Sequence, residues 1–252
     1  MAFGVILLHP DLSPAWRLII TDRHHQPSGY ASTSLRSIQY VKTDFILAAI
    51  DAVNSAILSH EADIEGLDRD IGDGDHYINI KRGCAAAAAM RPELENLTPD
   101  AALQKIGMKL LSSIGGASGP LVASFFLEMA KAIKLKEPVS LADHAALFAT
   151  GVAGIQHRGK AQVGEKTMMD VLIPVSALFT QLASTHGALD ADILNAMKGE
   201  AEKGMLATRD MLATKGRAAG LGERAIGHID PGAKSCQVMI HAVCDMLLGQ
   251  VH

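Results

Sequence analysis

The chain becomes regular at residues 41–57, VKTDFILAAIDAVNSAI. Large apolar residues recur here every three or four positions, which is the spacing of one face of an α-helix. They are Phe45, Ile46, Ile50, Val53 and Ile57. The stretch therefore predicts an amphipathic helix that buries one side.

Seven further stretches with the same period follow, separated by Gly, Pro or Asp signals. They cover residues 78–91, 99–113, 120–135, 140–157, 167–185, 189–214 and 234–250. The alanine run at residues 85–89 favours helix over strand, and no alternating strand pattern follows residue 41. The sequence predicts an all-α fold of about eight antiparallel helices joined by short loops.

Residues 1–40 do not share this period. They contain the only tryptophan, Trp16, and a polar tract at residues 22–29. The apolar run at residues 4–8 is too short for a membrane span and has no basic leader. We interpret residues 1–40 as an N-terminal extension and residues 41–252 as one domain.

Composition excludes several functional classes. The 252 residues are 48% apolar with a net charge of −4, which suits one sizeable core and lacks the basic, aromatic-rich surface of a nucleic-acid-binding protein. Cys84, Cys236 and Cys244 are odd in number and widely spaced, so they predict neither a zinc site nor a disulfide framework. No apolar run reaches the length of a membrane span. We expect a cytoplasmic protein that binds small anions and other proteins.

Carboxylates are concentrated at residues 67–76, LDRDIGDGDH, where Asp68, Asp73 and Asp75 are separated by glycines. Two carboxylates about 5 Å apart repel by roughly 3 kcal/mol at an effective dielectric of 20, so their convergence favours a bound divalent cation. Hard oxygen ligands indicate Mg²⁺. A solvated Asp/Gly turn is the alternative. A calcium EF-hand is excluded because its twelfth position would be Lys81 or Cys84 rather than Glu.

A glycine-rich joint at residues 112–120, SSIGGASGP, separates two predicted helices. Pro120 suits the first helical position, and Ser118 or Gly119 suits the cap. Backbone amides at such a helix start can bind a phosphate without a lysine. A joint with a purely structural role is the alternative.

Residues 154–161, GIQHRGKA, nearly match a P-loop. Ala161 replaces the Ser or Thr, and a predicted helix precedes the motif where a P-loop needs a strand, so we reject that assignment. Gly159 and Lys160 remain candidates for lining a site. Thr167 can cap the next helix, and Met168 and Met169 are either core residues or pliable surface against a flat ring.

The connection at residues 215–232 contains five glycines and is unusually long for a compact domain. It predicts a lid over a ligand, with a disordered surface loop as the alternative. Arg217, Arg224, His228 and Asp230 supply charge, and an arginine here could offset the charge of a transferring phosphate. Residues 230–232 predict a rigid turn before the last helix.

Taken together, five motifs resemble the nucleotide-binding L subunit of the dihydroxyacetone kinase family, over about residues 41–250. They are GLDRDIGDGDH at residues 66–76, LLSSIGGASGP at 110–120, RGKA at 158–161, GEKTMMD at 164–170 and KGRAAGLGERAIGHIDPGA at 215–233. The resemblance implies an eight-helix antiparallel barrel with the nucleotide site and a lid loop at one end. It also implies that Asp68, Asp73 and Asp75 hold two Mg²⁺, and that these aspartates and Arg217 are catalytic.

The resemblance implies further that ADP or ATP is surrounded by residues of every motif. They are His76, Tyr77, Ile78, Asn79, Ala117, Ser118, Gly159, Met168, Arg217, Asp230, Pro231 and Gly232. His76 could donate a hydrogen bond to a phosphate oxygen, with Asn79 adding a second polar contact.

In the family that it resembles, the sugar is held by a separate K subunit, so the acceptor lies outside this chain. The phosphate donor is either a phosphohistidine carrier of the phosphotransferase system that recharges bound ADP, or free ATP. Another acceptor such as erythrulose, an acceptor carried by a protein as in fatty-acid kinases, and a non-catalytic Mg-nucleotide sensor remain alternatives. The oligomeric state is open, with a homodimer among the alternatives.

Overall fold

The structure, a computed structural model, describes residues 42–251. The predicted extension at residues 1–40 lies outside the described residues. Ten α-helices and no strand occur within the described range, which confirms the all-α prediction. They are α1 Thr43–Ser59, α2 Glu61–Ile71, α3 His76–Ala88, α4 Arg91–Leu94, α5 Pro99–Ser113, α6 Ser118–Leu135, α7 Leu141–Gly159, α8 Met169–Thr185, α9 Ala191–Ala207 and α10 Pro231–Val251.

Eight of these helices close into a ring. Around the ring, α1 packs on α3, followed by α5, α6, α7, α8, α9 and α10, and α10 packs back on α1. Short connections make successive helices antiparallel. The closing contacts are antiparallel as well, because Ile57 near the end of α1 packs in one cluster with Tyr77 at the start of α3 and Val238 in the first half of α10. This is the eight-helix antiparallel barrel, and its staves are the eight predicted helices.

Two helices were not predicted, α2 and the single turn α4. In α2 the large apolar residues are only Ile64, Leu67 and Ile71, among five acidic residues. That pattern is too sparse to indicate a helix in isolation, but Ile64 and Ile71 are buried. Helix α2 packs on α3, α10 and the lid. Asp68 therefore lies in the last turn of a helix, whereas no helix was predicted between residues 57 and 78.

Helix boundaries also differ from the predictions. The predicted helix at residues 189–214 ends at Ala207 and continues only as the 3₁₀ turn Thr208–Asp210. The last helix begins at Pro231, three residues earlier than predicted, because Asp230 caps it: the Ala233 amide donates to Asp230 Oδ2 over 2.7 Å. Within residues 42–251, no single helix is long and apolar enough to cross a membrane; α1 and α2 meet that test only as a pair bent by 66°.

The antiparallel order determines where the motifs meet. Helices α3, α6, α8 and α10 begin, and α5, α7 and α9 end, at the same end of the barrel. The connections between them, which carry all five motifs, therefore lie together at that end. The remaining connections lie at the opposite end.

Candidate active site

Three carboxylates converge where α2 meets α3. One oxygen each from Asp68, Asp73 and Asp75 lies within 4.8 Å of the other two. Asp68 is buried, and the other two are exposed. The solvated turn with divergent side chains is therefore not what the structure contains.

Local backbone geometry fixes this cluster. The Gly72 amide donates to the Asp68 carbonyl over 2.7 Å, and the His76 amide, at the start of α3, donates to Asp68 Oδ2 over 2.9 Å. A Cβ at position 72 would lie 1.8 Å from Asp68 Oδ1, and Gly74 has a φ of +76°. Both glycines are therefore required for the turn that carries Asp73 and Asp75 back to Asp68.

The charge of the cluster fits a divalent cation. Within residues 42–251, Arg217 is the cation that pairs with it, through Nε and Asp73 Oδ2 at 2.9 Å. One guanidinium against three carboxylates leaves about two negative charges uncompensated. Carboxylate oxygens without nitrogen or sulfur ligands are the donor set that Mg²⁺ prefers.

His76 links the cluster to α10. Its Nε2 lies 2.8 Å from Ser235 Oγ, which itself donates to the Pro231 carbonyl over 3.0 Å. The Ser235 proton is therefore used, so Nε2 carries the histidine hydrogen. Burial lowers the pKa of His76, against the opposing effect of Asp68. A neutral His76 thus holds the start of α3 against the start of α10.

Asn79, one turn into α3, brings the acidic segment against the glycine-rich joint. It is buried, and its Oδ1 accepts from Arg82 Nη2. A Cβ at Gly115 would lie 2.6 Å from that same Oδ1. The two motifs are therefore in direct contact, and Gly115 is what permits the contact.

The glycine-rich joint starts α6 earlier than predicted. The helix begins at Ser118, and its N-cap is Ala117, so Pro120 is its third residue and neither Ser118 nor Gly119 is the cap. Gly116 takes a φ of +64°, which turns the chain into the helix two residues earlier. Because alanine has no side-chain oxygen, the first amides of α6 have no side-chain cap. They are available to an anion such as a phosphate.

The connection from α7 to α8 is not a P-loop, because the residues before it form the helix Leu141–Gly159. Gly159 ends that helix close to α6, where a Cβ would lie 2.9 Å from Leu121 Cδ2. The N-cap of α8 is Met168, so Thr167 is not the cap as predicted, although its hydroxyl accepts from the Met169 amide over 3.1 Å. Met169 is core, and Met168 is half-buried.

Met168 meets the start of α10. A Cβ at Gly232 would lie 3.7 Å from the Met168 amide nitrogen and Cβ. Asp230, Pro231 and Gly232 are the N-cap and first turn of α10, whereas a separate turn was predicted. Burial raises the pKa of Asp230 to about 7.

Tyr77 and Ile78 have opposite environments. The Tyr77 side chain is fully buried with Ile57, Ile64 and Val238, so its ring is not accessible to a ligand and only its backbone can contribute. The Ile78 side chain is exposed at 56%. Adjacent residues of a helix point about 100° apart around its axis, so Tyr77 faces the core while Ile78 faces solvent.

The long connection, which we call the lid after its predicted role, is ordered, so the alternative of a disordered loop is not what the structure contains. Residues Arg217–Ala225 form 3₁₀ turns. Ala218, Leu221 and Ala225 pack with Ala213 on Ile71, at the end of α2. His228 Nδ1 lies 3.2 Å from Asp70 Oδ2. The lid therefore rests on the helix that carries Asp68, and Arg217 reaches the carboxylate cluster.

Sequence reasoning did not identify Glu165 and Lys166 as structural elements of this site. Lys166 is 1% exposed, and its Nζ donates to the backbone carbonyls of Thr208 and His228. Glu165 contacts Thr214 at the start of the lid. Both residues lie inside the motif at 164–170, but a lysine in a loop gives no sequence signal of burial.

A family model and two similar curated proteins agree on one family. Residues 70–245 match the DAK2 domain family. The chain is 38% identical over 195 residues to the ADP-binding subunit DhaL of a PEP-dependent dihydroxyacetone kinase from Listeria innocua, covering 76% of this chain and 89% of that subunit. It is 40% identical over 185 residues to the corresponding Escherichia coli subunit, covering 73% of this chain and 88% of that one.

A solved structure has the same fold. The crystal structure of the dihydroxyacetone kinase from C. freundii in complex with AMP-PNP and Mg²⁺ superposes with a TM-score of 0.63 at 22% identity. The match covers 90% of this chain and 38% of the C. freundii chain. At this identity the likeness supports the fold.

Proposed function

The chain belongs to the DAK2 domain family, and from that premise we propose that it is the ADP-binding, phosphoryl-donating subunit of a dihydroxyacetone kinase. The observation that carries the proposal is the convergence of Asp68, Asp73 and Asp75 within 4.8 Å, with Arg217 of the lid paired to Asp73. Phosphoryl transfer is catalysed by metal ions and a positioned positive charge, and this combination of carboxylates and arginine can supply both. The domain that performs it is residues 41–252.

Each part of the site has a distinct task. Asp68, Asp73 and Asp75 would hold two Mg²⁺, which would neutralise charge on the phosphate oxygens of the bound nucleotide. The uncapped amides after Ala117, beginning at Ser118, bind phosphate oxygens. Arg217 places a guanidinium over the same oxygens when the lid is closed, so that positioning and electrostatics supply most of the catalysis.

The nucleotide is enclosed by the surrounding motifs. His76 and Asn79 provide polar contacts from α3, with Tyr77 and Ile78 contributing backbone between them. Met168 offers an apolar surface beside the first turn of α10, Asp230–Gly232, and the base packs there. Gly159 completes the wall near α6.

The acceptor and the phosphate donor come from partner proteins. We propose that the sugar is held by a K-type subunit, because the relatives are named as subunits of a dihydroxyacetone kinase. Because the relatives are named PEP-dependent or PTS-dependent, we favour a phosphohistidine carrier that recharges bound ADP. Free ATP as the donor is the alternative, and the nucleotide content of the desalted protein distinguishes the two. Near-stoichiometric ADP that only EDTA releases supports the carrier.

The assignment is tested by the Asp73→Asn substitution and isothermal titration of ADP in the presence of Mg²⁺. We expect affinity to fall on the order of 100-fold or more, because a carboxylate that ligates a divalent cation contributes several kcal/mol. The helical circular dichroism spectrum should be unchanged, since Asp73 is exposed.

Asp70→Asn is the matched control. Asp70 lies in the same acidic stretch but outside the cluster, and pairs with His228 at the surface. A surface pair of this kind contributes about 1 kcal/mol at most, so affinity should change less than about fivefold. Equal losses in the two variants, or no loss in Asp73→Asn, would contradict the proposed magnesium site.

A further inference from the structure

The two ends of the lid are fastened to two consecutive residues. At the start of the lid, the Thr214 hydroxyl donates to Glu165 Oε1 over 3.1 Å, and the Thr214 amide approaches the Glu165 carbonyl at 3.4 Å. At its end, the His228 carbonyl accepts from Lys166 Nζ. Glu165 and Lys166 thus contact the chain on both sides of Arg217.

Lys166 is a buried lysine whose side chain connects distant segments of the chain. It is 1% exposed and adopts a φ of +60°, a conformation that non-glycine residues rarely take. Its ammonium group also donates to the Thr208 carbonyl, and reaches the Arg209 carbonyl at 3.4 Å. Burial lowers the pKa of Lys166, while Asp230 has the largest opposing effect. A single buried cation therefore joins the end of α9 to the end of the lid.

Glu165 is held in place by its own loop. Its second oxygen, Oε2, accepts from the Gln162 amide over 2.7 Å. The loop itself is fixed to α8 by buried Asp170, whose carboxylate accepts from the Gly164 amide and from the Thr167 amide at 2.7 Å. The anchor residues are consequently attached to the barrel through α8.

Between the two anchors, glycines provide the freedom to bend. Gly216, Gly222 and Gly227 have φ values of +68°, +58° and +96°. The Gly227 amide donates to the Arg209 carbonyl over 2.8 Å, so the end of the lid returns to the end of α9. Arg217 lies one residue after the first of these glycines and three residues after Thr214.

We propose that Glu165 and Lys166 are positioning residues, which fix both ends of the lid and so set Arg217 beside Asp73. Fixing the ends removes most conformations in which the Arg217 guanidinium lies away from the carboxylates, and lowers the entropic cost of closing. Loosening one end should open the lid more often and release nucleotide faster. The role of Arg217 rests on the proposed function, whereas the anchoring itself does not.

Thr214→Val tests the anchor without touching the barrel. Valine keeps the shape of this exposed side chain and removes the donor to Glu165. The matched control is Thr185→Val, which removes an exposed hydroxyl at the far end of the barrel. Thr214→Ser should restore the wild-type behaviour because it restores the donor.

The first readout is limited trypsin digestion without nucleotide, scored by mass spectrometry as cleavage after Arg224, ten residues from the substitution. Loss of one hydrogen bond predicts about fivefold faster cleavage in Thr214→Val, with Thr214→Ser and Thr185→Val close to wild type. The second readout is the dissociation rate of a fluorescent ADP analogue in Mg²⁺, which should rise by a similar factor. Lys166→Met, judged by the same cleavage, tests the other end.

Wild-type cleavage rates in Thr214→Val, or an equal acceleration in Thr185→Val, would overturn the anchor. Failure of the wild-type protein to bind the ADP analogue would overturn the proposed function. In that case the cleavage rates would still decide whether Glu165 and Lys166 hold the lid.

Discussion

Gly72 is the residue on which the carboxylate cluster depends most directly. Its amide donates to the Asp68 carbonyl, and any Cβ there would lie 1.8 Å from Asp68 Oδ1 and 2.7 Å from the Asp68 carbonyl oxygen. The second clash is with backbone, so a side-chain rotation cannot relieve both. A methyl group at this position must displace either Asp68 or the end of α2.

Gly72→Ala should therefore lose Mg²⁺-dependent ADP binding by about tenfold or more, because displacing one ligand from ideal geometry costs at least about 1.4 kcal/mol. Isothermal titration in Mg²⁺ measures this. Gly66→Ala is the control in the same helix, since a Cβ at position 66 meets nothing within 4 Å. It should leave affinity unchanged and stabilise the fold by up to about 1 kcal/mol. Unchanged affinity in Gly72→Ala would show that Asp68 is not held by this turn.

For single residues, the sequence predicts contacts between groups that are close along the chain but not contacts between groups that are far apart. Asp68, Asp73 and Asp75 are close in sequence, and the glycines between them indicate a turn, so their convergence was predicted and is confirmed. Lys166 has its backbone partners 42, 43 and 62 residues away, so no spacing rule can find them. The burial of Tyr77 was missed because its core neighbours come from α1, α2 and α10.

Among the elements, α10 begins at a titratable cap. Asp230 accepts from the Ala233 amide, and Lys166 and Asp170 are the charged groups that face it. Burial raises the pKa of Asp230 to about 7 from an ordinary value of 3.8. Between these two values the folded protein retains a proton that the unfolded chain releases. Its stabilising effect is complete below about pH 4 and is lost as the pH rises to about 7.

Asp230→Asn should remove this contribution while keeping a capping side chain. The free energy of unfolding of wild type, relative to the variant, should fall by about 1.4 kcal/mol per pH unit between about pH 4 and 7. Above pH 7 the difference should level off. Urea unfolding of the nucleotide-free proteins at several pH values measures it. Asp190→Asn, at the N-cap of α9, controls for the capping contact. Parallel profiles for wild type and Asp230→Asn would contradict a protonated cap.

Helical periodicity predicted the presence of most helices better than it predicted where they begin. All eight staves were predicted because each buries a broad apolar stripe, whereas α2 was missed because it buries little besides Ile64 and Ile71. Helix starts were misplaced where the cap is unusual. Ala117 caps α6 without a side-chain bond, and Asp230 was interpreted as part of a turn.

At the scale of the whole molecule, the barrel closes because several helices approach each other at glycines. A Cβ at Gly107 would meet Leu127 at 2.8 Å, and one at Gly151 would meet the Phe125 ring at 2.6 Å. These contacts join α5, α6 and α7. Whether the ring closes depends on which helices pair, and the periodicity of a single helix gives no information about pairing. The closed barrel was therefore predicted only from the family resemblance.

Another close approach, between α8 and α9, also supports the site. A Cβ at Gly204, in α9, would lie 2.4 Å from the Asp170 carbonyl oxygen and 3.1 Å from Val171 Cα, both in the backbone of α8. Asp170 in turn holds the loop that carries Glu165 and Lys166. A change in the distance between α8 and α9 would therefore shift Asp170 and, with it, the loop that carries Glu165 and Lys166. Because the contact at Gly204 is with backbone, no side-chain rotation can absorb the change.

Gly204→Ala should destabilise the protein by about 2–3 kcal/mol, because the two helices must separate to admit the methyl group. Gly199→Ala, in the same helix, meets nothing within 4 Å and should instead stabilise it by up to about 1 kcal/mol through its higher helix propensity. Urea unfolding of both variants gives the difference. Because the separated helix carries Asp170, Gly204→Ala should also speed trypsin cleavage after Arg224 under native conditions, and Gly199→Ala should not. Equal stabilities in the two variants would mean that the barrel is not closed by contact at Gly204.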